Sequence, residues 1–494
     1  MAMVLQKWTP SLLDKFIILS LSLIVIFYGW LYQGFAQDDA FITYRYAHNL
    51  VSGHGFVYNL NEPVLGTTTP FYSIILAMVA LISGQEIRLI SHLISSFSLW
   101  GAGLLLYYLG RNHNALWAGA TAVVFITNPL LISAIGMETF FLLFLLLLTL
   151  QSYLAGKFKL AGILLGLLIL TRYETAIFGG ILGVHFFTRR KQLPFWLILS
   201  ALLVAIWLAF AWYRFGNLIP NSAQVKLVEK EGYAFATGLL IWWAIYANQS
   251  FWYYALAPLI LLGSYTIIRF KKLTSGYALI LIWTIMYFSV ASLVAGSFSW
   301  YYGPLMPGLA ILIVWGVIFG AQLVGQLVYL PKWNLARSSI AAGLSVLVIG
   351  GLLMLQIFSA VTGWVKHEGR IIDSREILYR DIVEWLQQNA DHNQSLAAGE
   401  IGILGYYSHM RIIDLRGLVT PSLLPALLQG RVATLKEVMA SYKPDYLLTD
   451  EEVLIKAMLH YPHYRPVQTF REGTYILYKR QAPDEKINDV KIAQ

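Results

Sequence analysis

The sequence predicts a polytopic α-helical membrane protein with an α/β domain in its C-terminal part. Of the 494 residues, 58% are hydrophobic and only 12% are charged, about half the charged share of a soluble globular chain. Apolar runs near the length of a bilayer crossing recur between residues 16 and 361. After Gly363 short apolar runs alternate with amphipathic stretches, which is typical of an α/β domain.

Eleven segments are expected to cross the membrane within a domain that covers residues 1–362. They are roughly 16–35, 93–110, 115–134, 139–155, 160–172, 175–188, 194–215, 252–268, 276–296, 303–324 and 339–361. The apolar run 71–83 is too short for a full crossing. We expect it to lie against the outer leaflet, as an interfacial helix of a first outer loop over residues 36–92.

Charge predicts the orientation, because cytoplasmic loops are rich in Lys and Arg. Placing every basic loop cluster inside puts the N-terminus in the cytoplasm and the C-terminal domain outside. The clusters are Arg111, Lys157 with Lys159, Arg189–Lys191, Arg269 with Lys271 and Lys272, and Lys332 with Arg337. No small-residue cleavage site follows the first apolar run, so that run is interpreted as a retained helix. The net charge of +9 then reflects membrane loops and not nucleic-acid binding.

Acidic residues are distributed differently from basic ones. Of the nine that precede residue 363, only Asp14 falls on the inner side. The orientation rule counts only Lys and Arg, so this clustering of acids is additional information. It indicates a chemical site on the outer face.

The C-terminal domain, residues 363–494, has helical patterns near 373–390, 421–428 and 434–441. Its predicted strands are 395–399, 411–415, 445–449, 465–470 and 474–479. Pro444-Asp445 and Glu472-Gly473 are typical turn sequences.

The strongest functional pattern is in the first outer loop, where Asp38 and Asp39 open a short amphipathic helix. At 3.6 residues per turn, Asp38, Arg45 and Asn49 share one face of this helix. A carboxylate and an arginine at a membrane surface suit a reaction that needs a general base and an anion partner. The alternative is that one Asp serves as the helix N-cap. His54, between two glycines, is either a site residue or a loop histidine bonded to backbone.

Four further places carry candidate residues, each with a structural alternative. Glu138 precedes an uncharged span, where the helix dipole alone would stabilise it. Arg172 and Glu174 lie between apolar runs, where charges are functional or paired with each other. The stretch from Arg214 to Lys226, which contains Asn217 and Asn221, is suited to binding a phosphate. The alternative is that Arg214 and Lys226 only extend their charged ends to the membrane interface. Tyr302 lies in an aromatic turn that also fits an interfacial belt.

Several mechanisms lack their motifs. Cysteine is absent, and neither G-x-x-x-x-G-K-[ST] nor H-E-x-x-H occurs, so a thiolate site, a P-loop and a zincin site are not supported.

The stretch Asp38–Pro70 resembles the first luminal loop of GT-C glycosyltransferases, which transfer a sugar from a polyprenyl-phosphate carrier. The closest likeness is to a bacterial branch that includes arabinofuranosyl-, mannosyl- and aminoarabinose-transferase-like enzymes. Further similar elements are Gly136–Thr139, Asn217–Asn221, Gly405–Tyr407 and Ile413–Val419. Two departures stand out: Thr171–Thr175 lacks the branch's Pro and Gly, and Tyr301–Pro304 lacks its Arg-Tyr pair.

The resemblance implies a transferase in a bacterial inner membrane, acting on an envelope glycan, lipid or protein acceptor. Asp38 or Asp39 would be the general base, with Asp38 favoured by its place at the start of the loop. Arg45, Arg172 and Lys226 would hold the donor phosphate. Substrate contacts would come from the remaining candidates, His54, Glu138, Glu174, Asn217, Asn221 and Tyr302. Paired carboxylates beside a phosphate also suit Mg²⁺ or Mn²⁺, although no metal is required by this scheme.

Two other classes compete with a transferase. A flippase or transporter of lipid-linked sugar would use the charges at Arg172 and Glu174, but no half-to-half repeat is evident, whereas many transporters are built from repeats. A non-catalytic sugar-binding scaffold is the third class.

Overall fold

The computed structural model describes residues 10–228, 252–270, 273–294, 299–327, 337–366, 371–391 and 393–481. The chain forms two compact units, each built from separated stretches of sequence. The helical unit contains Met1–Phe35, Ser91–Trp207 and Gly232–Ile371. The sheet unit contains Ala36–Ile90, Leu208–Glu231 and Ile372–Gln494. Most of the first outer loop therefore belongs to the same unit as the C-terminal domain.

Fifteen helices of the described residues precede residue 367. They are α1 (Leu12–Leu31), α2 (Asp38–Val51), α3 (Pro70–Ser83), α4 (Ile87–Gly110), α5 (Ala115–Ile126), α6 (Pro129–Ile132), α7 (Thr139–Leu154), α8 (Phe158–Thr171), α9 (Ala176–Arg190), α10 (Leu197–Phe215), α11 (Asn221–Val228), α12 (Trp252–Phe270), α13 (Ser275–Val294), α14 (Met306–Leu327) and α15 (Arg337–Lys366). Short 3₁₀ turns cover Tyr173–Thr175 and Ser299–Leu305.

Six helical segments in the described part of the chain are long and apolar enough to cross a membrane. They are Leu12–Leu31, Ile87–Gly110, Leu197–Phe215, Ser275–Ser292, Trp300–Gln326 and Ser338–Thr362. Five shorter apolar helices accompany them, among them α3. With 14 residues, α3 is about 21 Å long, less than the roughly 30 Å hydrocarbon core. It is too short for a full crossing, and its interfacial position stays a prediction.

One predicted span is interrupted. The segment 115–134 was expected to be continuous, but α5 ends at Ile126 and the short α6 begins at Pro129. Proline lacks an N–H and fits the first turn of a helix. The Asn128 side chain accepts hydrogen bonds from the backbone N–H groups of Leu130 and Leu131. This Asn-Pro pair starts a new helix and ends the previous one.

The N-terminal end of α1 is held by a small polar cluster within the helical unit. Ser11 and Asp14 form a capping box, and the Asp14 carboxylate also accepts a hydrogen bond from the Tyr107 hydroxyl. Arg111 lies 3.5 Å from Asp14. Asp14, in the first turn of α1, and Arg111, just after the C-terminal end of α4, therefore lie together, and both are predicted on the inner side.

The sheet unit contains a five-stranded sheet whose strands lie at the predicted places. They are β1 (Ser395–Ala398), β2 (Arg411–Asp414), β3 (Tyr446–Thr449), β4 (Tyr464–Phe470) and β5 (Tyr475–Arg480). The strand order is β2-β1-β3-β5-β4. Strands β2, β1 and β3 are parallel, whereas β5 pairs antiparallel with both β3 and β4. The hairpin β4–β5 turns at Glu472 and Gly473, both with positive φ, as the sequence predicts.

Helices cover this sheet and complete its core. They are α16 (Ser374–Asn389), α17 (Gly402–Ser408), α18 (Leu424–Leu427), α19 (Arg431–Glu437) and α20 (Glu452–Met458). A π-helical turn, Val438–Tyr442, follows α19. Buried residues such as Leu447, Leu423 and Val438 form the core on one side of the sheet.

The outer edge of β2, which has no neighbouring strand, is covered by the side chains of Asn59 and Thr420. The Asn59 amide donates to the Ile412 carbonyl oxygen at 2.8 Å and accepts from the Ile412 N–H at 3.0 Å. The Thr420 hydroxyl accepts from the Asp414 N–H at 2.9 Å. These side chains replace a neighbouring strand, so the edge is protected from pairing with other chains.

We predict that Asn59→Ala destabilises the protein by about 1–3 kcal/mol, because it leaves a buried backbone N–H and carbonyl without partners. The measurement is thermal unfolding of the detergent-solubilised chain. Asn389→Ala is the matched control, because that amide also bonds to a backbone carbonyl but is exposed. An equal melting temperature for wild type and Asn59→Ala would contradict this role.

Candidate active site

The two faces of α2 hold the loop that follows it, within the sheet unit. On the face predicted to carry Asp38, Arg45 and Asn49, the Asn49 amide donates to the carbonyl oxygens of Val57 and Tyr58. On the neighbouring face, the Tyr46 hydroxyl donates to the Val64 carbonyl oxygen at 2.6 Å. The polar side chains of this amphipathic helix thus fold its own loop.

Arg45 joins three parts of the sheet unit. Its guanidinium donates to the carbonyl oxygens of Tyr58, Gly405 and Met410 at 2.8, 2.6 and 2.8 Å. It also lies 4.3 Å from the centre of the Tyr58 ring. The side chain is buried, and burial lowers its pKa. This geometry favours a structural role for Arg45, and its predicted contact with a donor phosphate stays a prediction.

Asp38 is anchored to the start of α17. Its two carboxylate oxygens accept the backbone N–H groups of Gly402 and Ile403 at 2.9 and 2.8 Å. Only 2% of the residue is exposed. Burial raises its pKa, and the nearby Glu400 carboxylate raises it further against the effect of the two N–H groups. Asp39 is half-buried, so it has more access to a substrate than Asp38.

Glu400 is a candidate that the sequence reasoning missed. It is the second residue after β1 and lies two residues before Gly402, and it interacts electrostatically with both Asp38 and Asp39. Burial raises its pKa, whereas Arg416, 3.2 Å away, opposes that rise. The signal was the Gly399-Glu400 pair at the end of a predicted strand.

Charged side chains gather where the three parallel strands end. Glu400 follows β1, Arg416 follows β2, and Glu451 follows β3. Arg431 donates to the Glu451 carboxylate at 2.7 Å. Ligands of open α/β sheets bind outside the carboxyl ends of the strands, where the chain order changes direction. In this sheet that place is β1, which has β2 on one side and β3 on the other.

A second charged group lies within the helical unit. Arg172 lies 2.6 Å from Glu174 and 3.7 Å from Glu138, and its guanidinium is 4.8 Å from the centre of the Tyr301 ring. The structure brings these three predicted residues together. Because two carboxylates surround one cation, the group carries a net negative charge, which weakens its attraction for a phosphate.

The remaining predicted residues are spread over both units. His54 and Asn217 are exposed, whereas Asn221 is buried and its N–H donates to the Leu65 carbonyl oxygen at 2.9 Å. Tyr302 has no exposed surface. Lys226 belongs to α11, and its side chain lies outside the described part of the structure.

The paired carboxylates of Asp38 and Asp39 suit Mg²⁺ or Mn²⁺ by their chemistry. Among the described residues, no three His, Asp or Glu side chains form a group that would hold a metal ion. The carboxylates near Asp38 therefore do not form a complete protein-held metal site among these residues.

Comparison with known proteins places the fold. Residues 369–485 match a domain of unknown function, DUF8728. No curated protein matches the sequence. The crystal structure of ArnT from Cupriavidus metallidurans bound to undecaprenyl phosphate is similar over 94% of this chain and 98% of that chain, with a TM-score of 0.58 and 14% identity. Its apo structure gives 0.60 at 13% identity, over 93% of this chain and 96% of that chain.

An archaeal enzyme has a similar structure. The Archaeoglobus fulgidus oligosaccharyltransferase, tethered with an acceptor peptide, is similar over 95% of this chain and 75% of that chain, with a TM-score of 0.54 and 15% identity. This chain therefore has a GT-C-like fold. Together with the apolar helices, the fold supports a multi-pass membrane protein.

We predict that Gly402→Ala disrupts the site. A Cβ atom at this position would lie 1.8 Å from the Asp38 carbonyl oxygen, so the start of α17 must move and the two N–H bonds to Asp38 are lost. We expect a lower melting temperature and a loss of activity. Gly350→Ala is the control, because a Cβ atom there meets nothing within 4 Å. Normal stability of Gly402→Ala would show that the anchor is not needed.

Proposed function

We propose that this chain is a glycosyltransferase that moves a sugar from a polyprenyl-phosphate carrier to a hydroxyl acceptor. The observation that carries the proposal is the carboxylate group of Asp38, Asp39 and Glu400, in a chain with the GT-C-like fold. ArnT binds undecaprenyl phosphate in the similar structure, which supports a lipid-linked donor. The acceptor would be an envelope glycan, lipid or protein.

The reaction needs a base for the acceptor hydroxyl. The hydroxyl oxygen attacks the anomeric carbon, a carboxylate takes its proton, and the bond between that carbon and the phosphate oxygen breaks. Polyprenyl phosphate leaves with the bonding electrons. We assign the base to Asp39, because it is half-buried whereas both oxygens of Asp38 hold peptide N–H groups. Asp38 then orients α2.

The donor phosphate would be held by cations. Arg172 and Lys226 remain candidates, with Arg45 less favoured because carbonyl oxygens occupy its guanidinium. His54, Glu138, Glu174, Asn217, Asn221 and Tyr302 remain candidates for substrate contacts. A single displacement would invert the anomeric centre, which NMR of the product linkage would reveal.

Location follows from the charge pattern. We propose a bacterial inner membrane, with the N-terminus cytoplasmic and the sheet of the C-terminal domain on the outer face. The acids at Asp38, Asp39 and Glu400 would then meet a donor whose sugar is presented outside.

The test is release of free polyprenyl phosphate from a panel of polyprenyl-phosphate sugars. We predict that Asp39→Asn lowers this turnover by about 10²–10⁴-fold, the range for loss of a general base, with an unchanged melting temperature. Asp38→Asn should instead lower the melting temperature, because an amide cannot accept both N–H groups as a carboxylate does. Asp381→Asn, at an exposed helix position, is the control.

The outcomes separate the competing functions. Full activity of both Asp variants would contradict base catalysis by this pair. Loss only in Asp38→Asn, with normal stability, would move the base to Asp38. Transport of labelled lipid across proteoliposome membranes, with no release from any donor, would favour the flippase.

A pH profile tests the role of Glu400. Asp38 must be ionised to accept both peptide N–H groups and orient α2, so its raised pKa predicts that activity falls on acidification well above the ordinary value of 3.8. Glu400→Gln removes one negative charge, which lowers the pKa of Asp38 and moves the acidic midpoint to lower pH. The charged and titratable groups that act on Asp38 are Asp39, Glu400, Arg375, Tyr58 and Tyr379.

The control for this profile is Glu384→Gln, at an exposed position of α16. It should leave the midpoint unchanged. A midpoint that stays constant or rises in Glu400→Gln would contradict electrostatic coupling between Glu400 and Asp38.

A further inference from the structure

A groove of about 300 Å³ lies beside the edge strand β2, within the sheet unit. One wall is the loop around Glu62, and the other contains Ser422 and Tyr442. Arg411, the first residue of β2, lies between them. No residue of this groove belongs to the carboxylate group described above.

The backbone of the strand beside the groove is already bonded. Asn59 pairs with both polar backbone atoms of Ile412, and Thr420 accepts the N–H of Asp414. An extended peptide binds a sheet edge mainly through main-chain hydrogen bonds. Along this stretch the N–H and carbonyl oxygen of Ile412 and the N–H of Asp414 are already hydrogen-bonded, so a ligand in the groove must be recognised by side chains.

The side chains in the groove suit a neutral polyhydroxylated ligand. Arg411 and Glu62 form an ion pair at 2.6 Å, with 48% and 32% of their side chains exposed. Their charges cancel, so neither an anion nor a cation is favoured, yet each retains hydrogen-bonding capacity toward hydroxyl groups. The Tyr442 ring lies 5.8 Å from the Arg411 guanidinium carbon and supplies a flat apolar face with a polar tip.

Tyr442 is held in place by its surroundings. It ends the π-helical turn Val438–Tyr442, and Lys443 follows with a φ of 46°. Its hydroxyl is hydrogen-bonded to the Ser422 hydroxyl, and its ring packs on the core of the sheet. π-Helical turns are rare in proteins, and those that occur are often found at functional sites. A fixed ring costs little conformational entropy when a ligand packs on it.

We propose that this groove binds a linear saccharide through Tyr442, Arg411 and Glu62. The inference rests on the proposed function, and it identifies the acceptor as a glycan chain. Arg411 begins the strand that ends at Asp414, a rise of about 10 Å, and Arg416, just beyond that end, pairs with Glu400. The groove and the carboxylate group therefore lie about one strand length apart in the same unit.

The experiment measures binding of neutral linear tetrasaccharides, built of glucose, mannose, galactose or arabinose, to the detergent-solubilised full chain by saturation-transfer NMR. We expect at least one to bind the wild type and Tyr442→Phe. Tyr442→Ala and Arg411→Ala should weaken binding about tenfold, which corresponds to about 1.4 kcal/mol. Tyr461→Ala is the matched control, because Tyr461 packs on the same core but does not line the groove.

Two results would overturn the proposal. One is that no tetrasaccharide binds the wild type. The other is that binding is equal in wild type, Tyr442→Ala and Arg411→Ala. Melting temperatures of the variants show whether a loss of binding reflects unfolding. Because no donor lipid is present, this outcome is independent of whether polyprenyl phosphate is released, so the two proposals can fail separately.

Discussion

The hydrogen bonds of Arg45 are the constraint on which the sheet unit depends. A buried guanidinium must find an acceptor for its donors, because an unpaired buried charge is strongly destabilising. Here the acceptors are carbonyl oxygens of the first outer loop and of the segment between β1 and β2. One side chain therefore fixes the loop, the helix α17 and the start of β2 in a single arrangement. Asp38 adds the complementary contact, an anion on peptide N–H groups.

Nearby cations and peptide N–H donors allow the acids of the sheet unit to gather without complete neutralisation. Like charges near each other and out of water raise one another's pKa, which costs folding free energy when they ionise. Arg416 opposes the rise in the pKa of Glu400, and two backbone N–H donors oppose the rise in the pKa of Asp38. In the helical unit, the carboxylates of Glu138 and Glu174 are both paired with Arg172, so one cation serves two anions. Carboxylates with perturbed pKa values cluster at functional sites, although structural ion-pair networks also hold charged groups.

Much of this organisation follows from periodicity and composition. The apolar runs predict the long helices, the short strands after residue 394 lie at the predicted places, and the 3.6-residue period of α2 correctly groups Arg45 with Asn49. What each face contacts could not be predicted, because two of the three carbonyl acceptors for Arg45 lie 360 and 365 residues along the chain. Glu400 was missed for the same reason, because its proximity to Asp38 and Asp39 depends on a strand order that the local sequence pattern does not specify. The Asn128-Pro129 pair is itself a signal for a helix start, but the apolar run around it led to the prediction of one continuous helix.

The cover on β2 has a consequence for the order of assembly. Asn59 and Ile412 are separated by 353 residues, so the loop is synthesised long before the strand that it covers. Contacts between such distant residues form late, because the intervening chain must first be closed into a loop. Until then the loop, with Asp38 and Arg45, has none of its distant partners. The carboxylate group is thus assembled only after most of the chain has been inserted and folded, and incomplete chains carry no finished site.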